Sequence, residues 1–155
     1  MHPATDMTLA PARAVRVSRG VCRLFRDMGY GTLTEFTLAS GRRLDAIGLG
    51  PDGSLIAVEI KTSLADFRSD GKWPEYRDWC DAFYFAVPPD FPQEMLPDDC
   101  GLIVADDWDA AVLREAPRHS LVGAGRKAVL LRFALAASTR LHRLTDHAVA
   151  EARNL

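Results

Sequence analysis

A mixed α/β fold, with a central sheet flanked by helices, is predicted by three observations. The apolar period switches between helical and strand spacing along the chain. Short alternating runs are separated by strong turn signals. Two of those runs are joined by a loop short enough to make them an antiparallel hairpin. The 155 residues, 48% hydrophobic and 26% charged, suit one compact domain. We expect disorder over 1–8, a single domain over 9–150 and a tail over 151–155.

From about Leu9 to Met28 the pattern is helical. Val17, Val21, Leu24, Phe25 and Met28 share one face, and Arg16, Arg19, Arg23 and Arg26 share another. Gly29 ends the helix. Thr32–Leu38, Arg43–Leu49 and Leu55–Thr62 read as strands, the last two joined through Gly50-Pro51-Asp52-Gly53. Ser63 is a helix N-cap, Asp70-Gly71 breaks that helix, and Pro74 sits in the first turn of another reaching about Cys80. Ala82–Val87 and Gly101–Ala105 are buried strands, and Ala111–Glu115 is a short edge strand. Residues 117–126 read as loop, and Lys127 to about Ala150 as a long helix.

No apolar run approaches the roughly 18 residues of a membrane span, and residues 1–11 lack a secretory pattern. The expected location is therefore cytoplasmic. Cys22, Cys80 and Cys100 form no CxxC pair or zinc pattern and read as free thiols. Charge is unevenly spread. Residues 1–43 carry seven Lys and Arg against three Asp and Glu, residues 44–117 five against sixteen, and residues 118–155 seven against two. Basic ends around an acidic middle suit a nucleic-acid partner and a divalent-cation site.

The chemistry centres on Asp45, Glu59 and Lys61. Strand period two places Glu59 and Lys61 on one side and the apolar Val58 and Ile60 on the other. Ionisable groups ending so apolar a strand break the local rule, because buried charge is costly unless paired or metal-bound. With the loop centred on Asp52, partners across the hairpin sum to about 104, so Asp45 faces Glu59. Directly opposed Cβ atoms lie roughly 5 Å apart. A divalent cation would relieve the repulsion. Asp45, Glu59 and the carbonyl of Ile60 make a hard oxygen site suited to Mg²⁺ or Mn²⁺, and Lys61 would orient or activate an attacking water. Glu35, on the first strand, is a candidate further metal ligand. Arg16, Arg19, Arg23, Arg43, Lys72, Trp73 and Tyr76 are candidate DNA contacts, the cations for phosphate and the rings for unpaired bases. On spacing alone, a structural salt bridge of Lys61 with Asp45 or Glu59 is equally open, and so is a packing role for Trp73 and Tyr76.

Asp45, thirteen intervening residues, then Glu59-Ile60-Lys61 on an apolar strand after a hairpin resembles the PD-(D/E)XK nuclease superfamily. Leu44 stands where that superfamily's motif has proline. The stretch Arg42–Pro88 resembles, more specifically, the MmcB-like bacterial DNA-repair proteins. Its motifs are Arg43-Leu44-Asp45, Val58-Glu59-Ile60-Lys61, Asp66-Phe67, the run Lys72-Trp73-Pro74-Glu75-Tyr76-Arg77-Asp78-Trp79-Cys80-Asp81, and Phe83-Tyr84-Phe85. The resemblance implies a restriction-endonuclease-like core and a damage-response role, and together with the Asp45, Glu59 and Lys61 set it points to repair-associated, Mg²⁺-dependent hydrolysis of DNA in the cytoplasm, at the nucleoid. It leaves open a homodimer, a repair-protein partner, and a module that holds DNA on the same fold without cutting it.

Overall fold

The computed structural model describes residues 9–153. The disorder expected over 1–8 lies outside them, as do 154–155. Helix α1 spans Leu9–Asp27. Strands β1 (Gly31–Thr37), β2 (Arg43–Leu49) and β3 (Leu55–Ile60) follow, then helix α2 (Leu64–Ser69) and a 3₁₀ helix over Trp73–Trp79. Strand β4 (Ala82–Val87), a 3₁₀ turn at Gln93–Met95, β5 (Gly101–Ala105), β6 (Ala110–Arg114) and helix α3 (Gly123–Arg153) complete the chain. The six strands form one sheet in sequence order. Pairs β3·β4 and β4·β5 are parallel and the others antiparallel, so the sheet is mixed, as the sequence predicts. Central β3 and β4 are buried along their whole length, as expected of strands covered on both faces.

One face packs on α1. Val17, Val21 and Phe25 meet Ala46, Ile56, Val58, Ile60 and Ile103 there. Met28 is exposed because the helix stops at Asp27. Leu44, Leu55, Ala57, Phe83 and Phe85 build the other core with Tyr76 and Val129.

Two boundaries differ from expectation. The long helix begins at Gly123, four residues before Lys127. Its first turn is tied down by Arg126, whose guanidinium makes a bidentate pair with Asp81 at 2.6 and 2.7 Å. The helix also runs on through 151–153, where a tail is expected. A third departure lies in β1 and β2. Leu33 and Phe36 both pack on the second core despite their odd spacing, and so do Leu44 and Ile47. The alternation switches phase at Glu35, which has φ +49, and at Asp45 opposite it. Glutamate in the left-handed region is strained. Its carbonyl, displaced from regular pairing, accepts from Arg140 of α3 at 3.0 Å.

Gly20 on α1 is fixed by close approach. A Cβ there would sit 2.4 Å from the Asp106 carbonyl oxygen and 3.0 Å from that of Asp109. Both are backbone atoms and neither can swing aside. Alanine gains about 1 kcal/mol of helix propensity over glycine, yet overpacking of this kind costs about 1–3 kcal/mol. Gly20→Ala is therefore expected to unfold at lower urea concentration than the wild type. A higher midpoint would show that the β5–β6 turn yields freely.

Candidate functional site

The hairpin brings the site together. Observed pairs Ala46↔Val58 and Ile47↔Ala57 sum to 104, the predicted register. At the next position the ladder gives way to chemistry. The Ile60 N–H donates to Asp45 Oδ2 at 2.7 Å, and Asp45 thereby lies beside Glu59.

Glu59 is buried and Asp45 half-buried. Burial lifts the Asp45 carboxyl above its ordinary range, against the opposing pull of the Ile60 amide. Glu59 is pushed up to about 9, first by burial and then by the charge of Asp45. Its Oε2 is buried without a hydrogen-bond partner. A desolvated oxygen of this kind is costly unless something not of the protein satisfies it.

Lys61 follows on the same edge, its side chain only 5% exposed. Its Nζ lies 2.8 Å from Asp70 Oδ2, 3.8 Å from Glu59 Oε1 and 3.9 Å from Asp66 Oδ1. Burial alone would lower its pKa. The hydrogen bond Lys61 donates to Asp70, aided by Asp66 and Glu59, more than reverses this, and the pKa ends above the lysine norm. Lys61 is thus a fixed cation at neutral pH. Asp66 reaches it because Ser63 caps α2, accepting from the Asp66 N–H at 3.1 Å. Asp70 is oriented by the Lys72 N–H, which donates to its other oxygen at 2.8 Å.

A cavity of about 810 Å³ opens here, lined by Asp45, Glu59, Ile60 and Lys61, with Glu35 and Thr34 from β1 and Arg19 and Arg23 from α1. Of the residues singled out in the sequence, Arg19, Arg23, Glu35, Asp45, Glu59, Ile60, Lys61 and Asp66 converge here. Among the described residues, no three His, Cys, Asp or Glu side chains cluster tightly enough to hold a metal ion. Glu35 faces the cavity as a wall residue and does not complete a three-ligand set. The remaining candidate contacts lie elsewhere. Arg16 pairs with Asp107 on the outer face of α1, and Arg43 and Lys72 are exposed beyond the cavity lining.

Two aromatic candidates need correction. Tyr76 is 5% exposed, within the second core. Trp73 stacks on Phe83 at 5.9 Å and meets Phe85 edge-on at 5.1 Å. Their helical spacing reflects packing, and neither ring offers a face for a base. Sequence reasoning also missed Asp70, which is legible there only as a helix breaker.

The donor set fits a hard divalent cation. Mg²⁺ is commonly held by one or two carboxylates plus waters and substrate phosphate oxygens. Two adjacent carboxyls, the half-buried Asp45 and the buried Glu59 with its unsatisfied oxygen, supply that requirement.

Fold and site together define an α/β protein with an open mixed sheet that presents, at the end of central strand β3, a buried carboxyl and a fixed lysine beside a half-buried carboxyl from β2. The chain belongs to the MmcB-like family of DNA repair proteins, matching it over residues 1–148. Among solved structures it is similar to the SPO1766 protein of unknown function from Silicibacter pomeroyi. That likeness has 43% identity and a TM-score of 0.84, and covers 86% of this chain and 92% of that one. Comparison with curated proteins gives no match. Among the described residues no helix is long and apolar enough to cross a membrane.

Proposed function

We propose that this protein is a divalent-metal-dependent nuclease that hydrolyses DNA phosphodiester bonds in repair, on a PD-(D/E)XK-type core. The observation that carries the reading is the unsatisfied, buried Glu59 Oε2 beside Asp45, next to a lysine held as a cation. Asp45, Glu59 and the Ile60 carbonyl would hold Mg²⁺ or Mn²⁺. Such an ion, when bound, polarises a phosphoryl oxygen and lowers the pKa of a coordinated water.

The rest is the work of the chain. Asp45 keeps β2 and β3 in register at the site through the Ile60 amide. Lys61, fixed by Asp70, stays protonated, so it orients the attacking water and offsets charge developing on the phosphoryl oxygens rather than removing a proton. Arg19 and Arg23, on the opposite wall of the cavity, supply guanidinium forks for the flanking phosphates.

The test is cleavage of circular single-stranded and supercoiled DNA with Mg²⁺ or Mn²⁺, alongside calorimetric Mn²⁺ titration. Wild type should bind Mn²⁺ and cut. Asp45→Ala should do neither, and Lys61→Ala should bind Mn²⁺ without cutting. Cutting by Asp45→Ala at the wild-type rate would overturn the assignment. A second reading, a module that holds DNA or a repair partner without cutting, is favoured by the 2.8 Å engagement of Lys61 by Asp70. DNA binding by the wild type with no cleavage under either metal would select it.

A further inference from the structure

The β5–β6 turn, residues 106–109, holds a large aromatic ring in solvent for no structural gain. Trp108 is 77% exposed, although burying an indole is among the most favourable things a chain can do with it. The ring is nevertheless held in place. Asp106 Oδ1 accepts from the N–H groups of Trp108 and Asp109, each at 2.8 Å. The Asp106 N–H closes the turn on the Asp109 carbonyl at 2.9 Å. Beneath it, Gly20 of α1 lets the turn's backbone seat directly on the helix. On one side the Arg23 guanidinium lies 5.7 Å from the ring centroid and donates to the Trp108 carbonyl at 3.4 Å. Arg23 is also a wall of the Asp45–Glu59–Lys61 cavity, so this one side chain joins the ring to the site.

From this we infer that Trp108, braced by Arg23, is a stacking platform for an unpaired nucleobase at the mouth of the cavity. The substrate is then DNA with a single-stranded segment at the point of cleavage. The inference rests on the nuclease reading and supplies the substrate class that reading lacks. An aromatic face beside arginines fits base plus phosphate: the ring stacks on any base and the guanidinium forks hold the backbone.

The turn's three carboxylates are each engaged by the protein itself. Asp106 is taken up by the turn amides and Asp109 accepts from the Ala110 N–H at 2.8 Å. Asp107 sits 3.4 Å from Arg16 and 3.5 Å from Arg19. Both arginines are largely exposed, and pairs of this kind are weak and salt-screened. A phosphate arriving with a stacked base displaces Asp107 from them. A fully paired duplex has no free base face to offer the ring.

The test is fluorescence anisotropy in EDTA, where no cleavage occurs, at low salt. The probes are an end-labelled mixed-sequence oligonucleotide and the blunt duplex made from it. Wild type is expected to prefer the single strand, with quenching of tryptophan emission on titration. Trp108→Ala is expected to lose about tenfold in single-strand affinity, with duplex affinity within twofold of wild type. Trp108→Phe should recover most of that affinity without the quenching. Since the ring is exposed, these variants should unfold with the wild type. Unchanged single-strand affinity in Trp108→Ala overturns the platform and leaves the nuclease reading standing. Equal losses on both probes refute recognition of an unpaired base. A wild type that binds neither probe removes the platform, and cleavage with Mn²⁺ then decides the nuclease reading by itself.

Discussion

Glu59→Gln is expected to make the metal-free protein more stable while abolishing metal-dependent cleavage. The substitution keeps shape and volume and removes one of two carboxyls that share a desolvated site. In the wild type, folding brings Glu59 next to Asp45 and leaves its Oε2 without a partner. An unsatisfied buried polar group costs about 1–3 kcal/mol. A glutamine amide can donate to the Asp45 carboxylate at every pH, whereas the Glu59 carboxyl loses its proton as pH rises towards 9, so a gain of about that size is expected in urea unfolding at that pH with EDTA present. The same change removes the charge that would hold the cation. Activity should fall by more than the roughly 10–100-fold typical of residues one step removed from a metal.

The pH dependence has a definite sign. Glu59 has its folded pKa raised from 4.5 to about 9. A carboxyl shifted upward stabilises the fold below its unfolded pKa, and that contribution disappears as pH rises through the folded value. Metal-free wild type should therefore lose stability between about pH 5 and 9, and Glu59→Gln should show less of this slope. Mn²⁺ should stabilise the wild type, by about 2.7 kcal/mol at one hundred times its dissociation constant, and leave Glu59→Gln unmoved. If that variant unfolds more easily than wild type in EDTA, the carboxyl pair is a stabilising contact rather than a cation site.

What could be read from the sequence followed from short-range physics. The Gly50–Gly53 turn and the strand period placed Asp45 against Glu59, and the register across the hairpin is the one those signals require. What could not be read depends on partners distant along the chain. Nothing near Glu35 encodes its left-handed backbone, since the Arg140 that holds its carbonyl lies 105 positions away. Gly123 and Gly125 argue locally against a helix, and the Arg126–Asp81 pair overrides them. Asp70 carries the signature of a helix end, which is true of its backbone. Its carboxylate does something else, closing on Lys61 from a loop whose path cannot be read from residue types. Trp73 and Tyr76 show the opposite limit. Their spacing was legible, but packing and base contact predict the same spacing, and only burial separates them.

Asp81→Ala is expected to destabilise the protein by about 1–3 kcal/mol, the cost of leaving its part-buried donors without their acceptor. Asp81 stands just before β4 and ties three segments together. Its Oδ2 accepts from the Leu55 N–H at 2.8 Å and its Oδ1 from the Leu121 N–H at 2.9 Å. The Arg126 fork completes the set. Truncation strands two amides and leaves a guanidinium without its carboxylate. Burial alone would raise the Asp81 pKa, but the Arg126 fork and the two amides more than reverse it, to about 2. A carboxyl shifted downward contributes stability above its ordinary pKa, here near 3.8, and loses it as pH falls towards 2. Wild-type stability should drop across that window, and the Asp81→Ala curve should be flatter there. Leu55 starts the strand that carries Glu59 and leads into Lys61, while Leu121 just precedes, and Arg126 lies in, the first turn of the helix whose Arg140 holds Glu35. Loosening Asp81 therefore slackens two walls of the cavity from their far ends. Under folding conditions, Asp81→Ala should bind Mn²⁺ more weakly than wild type although it touches no part of the site. Mn²⁺ affinity equal to wild type in that variant would show that the cavity is held by its own local contacts.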